Sequence, residues 1–158
     1  IGDVHQKYEE YAKLIEGKGS SVQIGDMGFD HIRLEQILTA KRAGKRVKIG
    51  DHRFLFGNHC SPEVKNTQHC LGKYGVYTSD GKEFFFISGA YSIDKQWRTN
   101  YISWWPDEEL STREMGDCYE MYVKVKPSLV LSHDCPQSFC KHKWGYDQTH
   151  TRHFLHDL

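Results

Sequence analysis

The sequence predicts a mixed α/β domain, and three observations carry that prediction. The first 25 residues run strand, helix, strand, a β-α-β pattern whose parallel strands need a crossover helix on the sheet face. Gly75-Val76-Tyr77-Thr78 and Glu83-Phe84-Phe85-Phe86-Ile87 flank Ser79-Asp80-Gly81-Lys82, a hairpin with a Gly-bearing turn. The apolar run Phe54-Leu55-Phe56 stops at Gly57 and presents Asn58 and His59 side by side, as a buried parallel strand delivers polar groups at its carboxyl end. Parallel and antiparallel pairings therefore coexist, in one mixed sheet or in two.

In chain order, Ile1 reads as the last residue of a strand, followed by Gly2-Asp3-Val4-His5. Gln6 to Gly17 has helical spacing, with Tyr8, Tyr11, Ala12 and Ile15 on one face. Ser21 to Gly25 is a short buried strand ending at Asp26. An amphipathic helix is expected from about Asp30 to Lys45, a weak alternation over Arg46 to Gly50, and the central strand from Arg53 to Gly57. Cys60 to Lys73 reads as a polar loop, and Ser92 to Pro106 as a Trp-rich one. Asp107 to Lys124 resembles a helix opened by Pro106 and acidic residues. Ser128 to Leu131 is another buried strand, ending at His133, and helix is expected within residues 144–158.

The 158 residues suit one domain, taken as residues 1–158. Lys+Arg and Asp+Glu both number 21, so no global field recruits nucleic acid or an anionic membrane. No apolar run is long enough for a membrane span, and the five cysteines are odd in number with no CxxC pair. A soluble, cytoplasmic protein is expected. The ten histidines raise the prior for a metal site, and spacing has to decide.

An Asp-x-His pair at a strand end sets Asp3 and His5 on one side, since alternate residues share a face. Carboxylate plus imidazole suits Mn, Fe or Zn. Asp26 has two oxygens and can bridge two divalent cations, while Asn58 and His133 supply an oxygen and a nitrogen for the second. His59, next to a ligand, can reach a leaving-group oxygen. Taken singly, Asp3-Val4-His5 is a turn, Gly25-Asp26 a strand end, Asn58-His59 a helix cap and His133 a loop residue. Their recurrence at successive strand ends makes chance the poorer explanation.

Gly2-Asp3-Val4-His5, Gly25-Asp26, Gly57-Asn58-His59 and Ser132-His133, in this order, resemble the motifs of the calcineurin-like metallophosphoesterase superfamily, in its small bacterial and phage form. The resemblance implies a four-layer α/β/β/α sandwich of two mixed sheets flanked by helices. It implies that Asp3 and His5 bind a first metal, that Asp26 bridges, that Asn58 and His133 bind a second, and that His59 is catalytic. The implied reaction is hydrolysis of a phosphate ester, monoester or diester, by metal-activated hydroxide in direct in-line attack. The chain departs from the family pattern in three places. Cys60 stands where the family has Asp or Glu after Gly-Asn-His. Gln6 and Gly28-Phe29-Asp30 differ from the protein Ser/Thr phosphatase motifs. The closing Gly-His-x-His is missing, and His150, His153 and His156 recur every three residues instead; the chain is read as a fragment lacking that strand and the start of the first, with an altered or degenerate site as the alternative.

In the Trp-rich loop, Trp97, Trp104 and Trp105 either stack on a ligand or pin the loop to the core. Arg98 is the substrate-binding candidate there, because guanidinium recognises phosphate bidentately, with a surface carboxylate as the competing partner. Cys135, Cys140 and His142 lack standard zinc spacing, so no separate zinc site is expected. Two rivals to a phosphoesterase acting on a small or macromolecular ester use the same fold: a catalytically silent binding scaffold, and a nuclease suggested by the aromatic loop.

Overall fold

The computed structural model describes residues 1–38, 41–42, 45–46, 50–144 and 149–158, with only the backbone described for 41–42, 45–46 and 141–144. The fold is mixed α and β. Strand β1 (Ser20–Ile24) lies parallel to β4 (Asp51–Leu55), in register from Ser20 opposite Asp51 to Ile24 opposite Leu55. Helix α1 (Tyr8–Ile15) precedes β1 and buries Tyr8, Tyr11, Ala12 and Ile15, the face expected from their spacing. Tyr8, Tyr11 and Ile15 join Met27, Leu34, Phe54 and Val64 in one apolar cluster. Ile1 is not in a strand, although its carbonyl accepts a hydrogen bond from Ile24 N–H at 2.9 Å.

Helix α2 (His31–Leu38) stops well before the expected Lys45, and β2 (Lys41–Arg42) pairs antiparallel with β3 (Lys45–Arg46). Gly44 in that stretch is a poor helix former. Residues 39, 40, 43 and 44, and residues 47–49 of the expected weak strand, lie outside the described residues. Within the polar loop after Cys60 the structure adds a short helix α3 (Pro62–Lys65), which Ser61 caps and in which Pro62 occupies the first turn.

The expected hairpin is present. β5 (Tyr74–Ser79) pairs antiparallel with β6 (Lys82–Ile87) across Asp80-Gly81, whose φ values of 48° and 72° are those of a primed turn. β7 (Val130–Ser132) then adds to β6 in parallel, Phe85 opposite Val130 and Ile87 opposite Ser132. This sheet is therefore mixed.

Helix α4 (Thr112–Val125) begins later than expected, because Ser111 and Glu114 form a reciprocal capping box that fixes its start. Asp107 and Glu108 look like a first turn in sequence, but Glu108 is turned inward to Ser92. Helix α5 (Gln137–Trp144) was not expected, and the expected terminal helix is confined to α6 (His150–Asp157), capped by Thr149. Among the described residues no helix is long and apolar enough to cross a membrane.

The capping box gives a pH-dependent contribution. Burial pushes the Glu114 carboxyl up, but the Lys73 ammonium and the Ser111 N–H and hydroxyl outweigh it and hold the group at about 2 instead of the ordinary 4.5. A depressed folded-state value stabilises above the unfolded one and is lost as pH falls through the folded one. The difference in unfolding midpoint between the protein and Glu114→Gln is therefore expected to narrow from pH 4.5 downward and to vanish below about 2, as followed by circular dichroism.

Candidate metal centre

The first two motif loops dock on each other through backbone. The Asp26 carbonyl accepts from Val4 N–H at 3.2 Å and His5 N–H at 2.8 Å, and Met27 O accepts from Gln6 N–H at 3.1 Å. His5, Gln6 and Asp26 have φ values of 45°, 65° and 49°, left-handed conformations that non-glycine residues rarely adopt and that cluster at functional sites. Gln23, fully buried at the end of β1, donates to Gly2 O at 2.9 Å and accepts from Gly25 N–H at 3.2 Å. One side chain thus ties both loops together. A Cβ at Gly25 would fall on the His133 ring, which explains why glycine precedes Asp26.

Asp26, 4 % exposed, is the hub. Its Oδ2 lies 3.6 Å from His5 Nε2 and 3.9 Å from His59 Nε2, while Oδ1 lies 3.5 Å from His133 Nε2 and accepts from His59 backbone N–H at 2.9 Å. Asp3 Oδ2 stands 3.6 Å from the same His5 nitrogen. Asn58 Oδ1 is 3.3 Å from His133 Nε2. Asp3, His5, Asp26, Asn58, His59 and His133, scattered over residues 3–133, therefore converge, with each Asp26 oxygen turned to a different set.

These separations fit cations. Ligand atoms about 2.1 Å from one tetrahedral ion stand roughly 3.4 Å apart, close to the spacings around both Asp26 oxygens. The donor set is oriented as well. His133 Nδ1 lies 2.8 Å from Ile24 O, which accepts only from a protonated nitrogen, so Nε2 is the nitrogen left to a cation beside Asp26 and Asn58. Asn58 Nδ2 donates to Ser92 Oγ at 2.9 Å, leaving Oδ1 turned inward, and Ser92 donates to Glu108 at 2.5 Å. This Asn58–Ser92–Glu108 relay spans 50 residues and has no local sequence signal, so it was not foreseen. Ser92→Ala releases the Asn58 amide while Asn58 itself stays; cation affinity, measured by calorimetry with Mn(II), is expected to fall about 10- to 100-fold.

His59 sits where the sequence suggested, but its support differs. Cys60 is fully buried in the apolar cluster and accepts from Gly57 N–H at 3.4 Å, so it lends His59 no charge. Arg98 reaches His59 instead, with Nη2 2.7 Å from Nε2 and Nη1 3.1 Å from Nδ1. Asp94 holds the guanidinium through Nε at 2.8 Å and Nη2 at 2.9 Å. Of the partners weighed for Arg98, the carboxylate is engaged, as Asp94. Burial lowers the His59 pKa; Asp26 opposes this and the Arg98 cation adds to it.

Of the tryptophans, Trp105 is buried and pins its loop, whereas Trp97 is 82 % exposed. Asp134, Cys135 and Cys140 bring potential ligand atoms within 4.8 Å of one another, an approach the spacing did not suggest; the His142 side chain lies outside the described residues. The two thiol sulfurs are 2.8 Å apart, closer than the roughly 3.7 Å of two thiolates on one zinc, and Asp134 is paired with Arg152 at 2.9 Å. Both are free cysteines. No family model, curated protein or solved structure matches the chain.

Proposed function

We propose that the protein is a phosphoesterase dependent on two divalent cations, Mn, Fe or Zn, and that the four-layer α/β/β/α sandwich is its architecture. The observation that carries this reading is the division of Asp26, one oxygen facing His5 and the other facing His133. Asp3, His5 and Asp26 would hold one cation, and Asp26, Asn58 and His133 the other. Bound there, such cations lower the pKa of water and neutralise charge on a phosphoryl oxygen.

The chain's own residues supply the rest. The Ile24 carbonyl keeps His133 in the tautomer that offers Nε2, and the Ser92 relay keeps the Asn58 oxygen inward. As the ester P–O bond breaks and water oxygen joins phosphorus, negative charge grows on the departing oxygen, and the proton that the attacking water gives up has to be returned to it. His59 and Arg98 stand together beside Asp26 and offer that oxygen hydrogen bonds and positive charge. Asp94 fixes the guanidinium for this task.

Hydrolysis of p-nitrophenyl phosphate or bis(p-nitrophenyl) phosphate with added Mn(II) tests the reading. Turnover is expected, and His59→Ala is expected to lower it by about 10²- to 10⁴-fold while Mn(II) binding persists. No turnover with Mn(II), Fe(II) or Zn(II), or turnover indifferent to EDTA and to His59→Ala, would leave the fold as a binding scaffold.

A further inference from the structure

Two cavities meet at His59 and Arg98. The first, about 430 Å³, is the polar chamber that contains Asp3, Asp26, Asn58 and His133. The second, about 480 Å³, lies on the other side of the His59–Arg98 pair and is walled by Phe29, Ile102 and Trp105, with Gln6 and Ser103 as its uncharged polar groups. Both cavities include His59 and Arg98 in their lining. Among the described residues no lysine lines the second, and its one guanidinium, Arg98, sits with His59 at the junction with the chamber. Phe29 and Ile102 are 56 % and 73 % exposed, apolar side chains left open to solvent beside a polar site.

We infer that the apolar cleft binds the organic group of the ester, and that the substrate is a small phosphate ester of a planar, largely apolar alcohol or phenol. The inference rests on the phosphoesterase reading. A phosphoryl group in the chamber has its departing oxygen at His59 and Arg98, and whatever that oxygen carries must continue into the cleft. The cleft's size is that of a small-molecule site, and its walls offer apolar contact and an indole. A polynucleotide strand would instead need a track of cations for successive phosphates, which this cleft lacks.

Calorimetry on the Mn(II)-loaded protein with two non-hydrolysable probes, benzylphosphonate and 2-methoxyethylphosphonate, tests the cleft apart from turnover. Benzylphosphonate is expected to bind on the order of tenfold or more tighter, from the apolar area that its ring buries. Ile102→Asp and Phe29→Ala, both at exposed positions that do not support the fold, are each expected to shrink that preference several-fold. Equal affinities, or a preference untouched by both substitutions, would overturn the inference. So would displacement of benzylphosphonate by a single-stranded oligonucleotide at concentrations below those at which benzylphosphonate itself binds. Turnover of benzyl phosphate and 2-methoxyethyl phosphate, whose alcohols have similar acidity, is measured in parallel. Discriminating binding with no hydrolysis of either ester would sink the phosphoesterase reading and leave the site's ligand preference standing.

Discussion

Asp26→Asn is expected to abolish cation-dependent hydrolysis, by about 10³-fold or more, roughly 4 kcal/mol of transition-state stabilisation. Asparagine keeps the size of the side chain and tolerates the left-handed backbone at this position, φ 49°. Its amide oxygen can still accept from His59 N–H, so the docking of the loops should survive. What disappears is the charge shared between the His5 side and the His133 side. Thermal unfolding separates this effect from misfolding. Without cation, the variant should unfold within about 1 kcal/mol of the parent, as substitutions that leave the hydrogen bonding intact do. With Mn(II) at a hundred times its dissociation constant the parent gains about 2.7 kcal/mol, and the variant should gain almost nothing. A variant that kept the full Mn(II) shift would show that cations bind elsewhere.

Gly25→Ala should damage the same site through shape alone. At φ 119° a side chain is strained, and the added Cβ would lie within the His133 ring. Strain of this kind costs about 1–3 kcal/mol, and displacement of the packed ring adds to it, so a loss of roughly 2–4 kcal/mol is expected in urea unfolding. The imidazole can escape only by breaking its bond to Ile24 O, which frees the ring from the tautomer that serves Asp26 and Asn58. Mn(II) affinity should therefore fall even in molecules that remain folded. Gly2→Ala is the control: a Cβ there meets nothing within 4 Å, although Gly2 adjoins Asp3 in its motif. Its stability and Mn(II) affinity should stay near those of the parent.

The convergence of Asp3, His5, Asp26, Asn58, His59 and His133 was legible because each residue lies in or just after an apolar run that reads as a strand end. Strand ends on one side of a sheet are brought together by topology, which sequence order partly reveals. The hairpin β5–β6 was legible for a local reason, its Asp80-Gly81 turn. What escaped was set by distant partners. Ser92 and Glu108 orient Asn58 from 34 and 50 positions away, and nothing beside them announces it. Arg98 stood out in the sequence, but Asp94 was separable from other loop charges only once the fold placed it on the guanidinium that reaches His59. The start of α4 was misjudged because acidic residues after a proline imitate a first turn, whereas the Ser111–Glu114 box that sets the boundary lies a few residues on. The extent of α2 was misjudged because Gly44, which disfavours helix, was passed over in a run of basic residues that suits a solvated helix face as well as a short hairpin.

Anomalous diffraction at the manganese edge, from crystals equilibrated with Mn(II), addresses the shared role of Asp26 most directly. Two peaks are expected, each within about 2.5 Å of an Asp26 oxygen, one beside Asp3 and His5 and the other beside Asn58 and His133. No peak at Asp26, or a single peak at Asp134, Cys135 and Cys140, would contradict it.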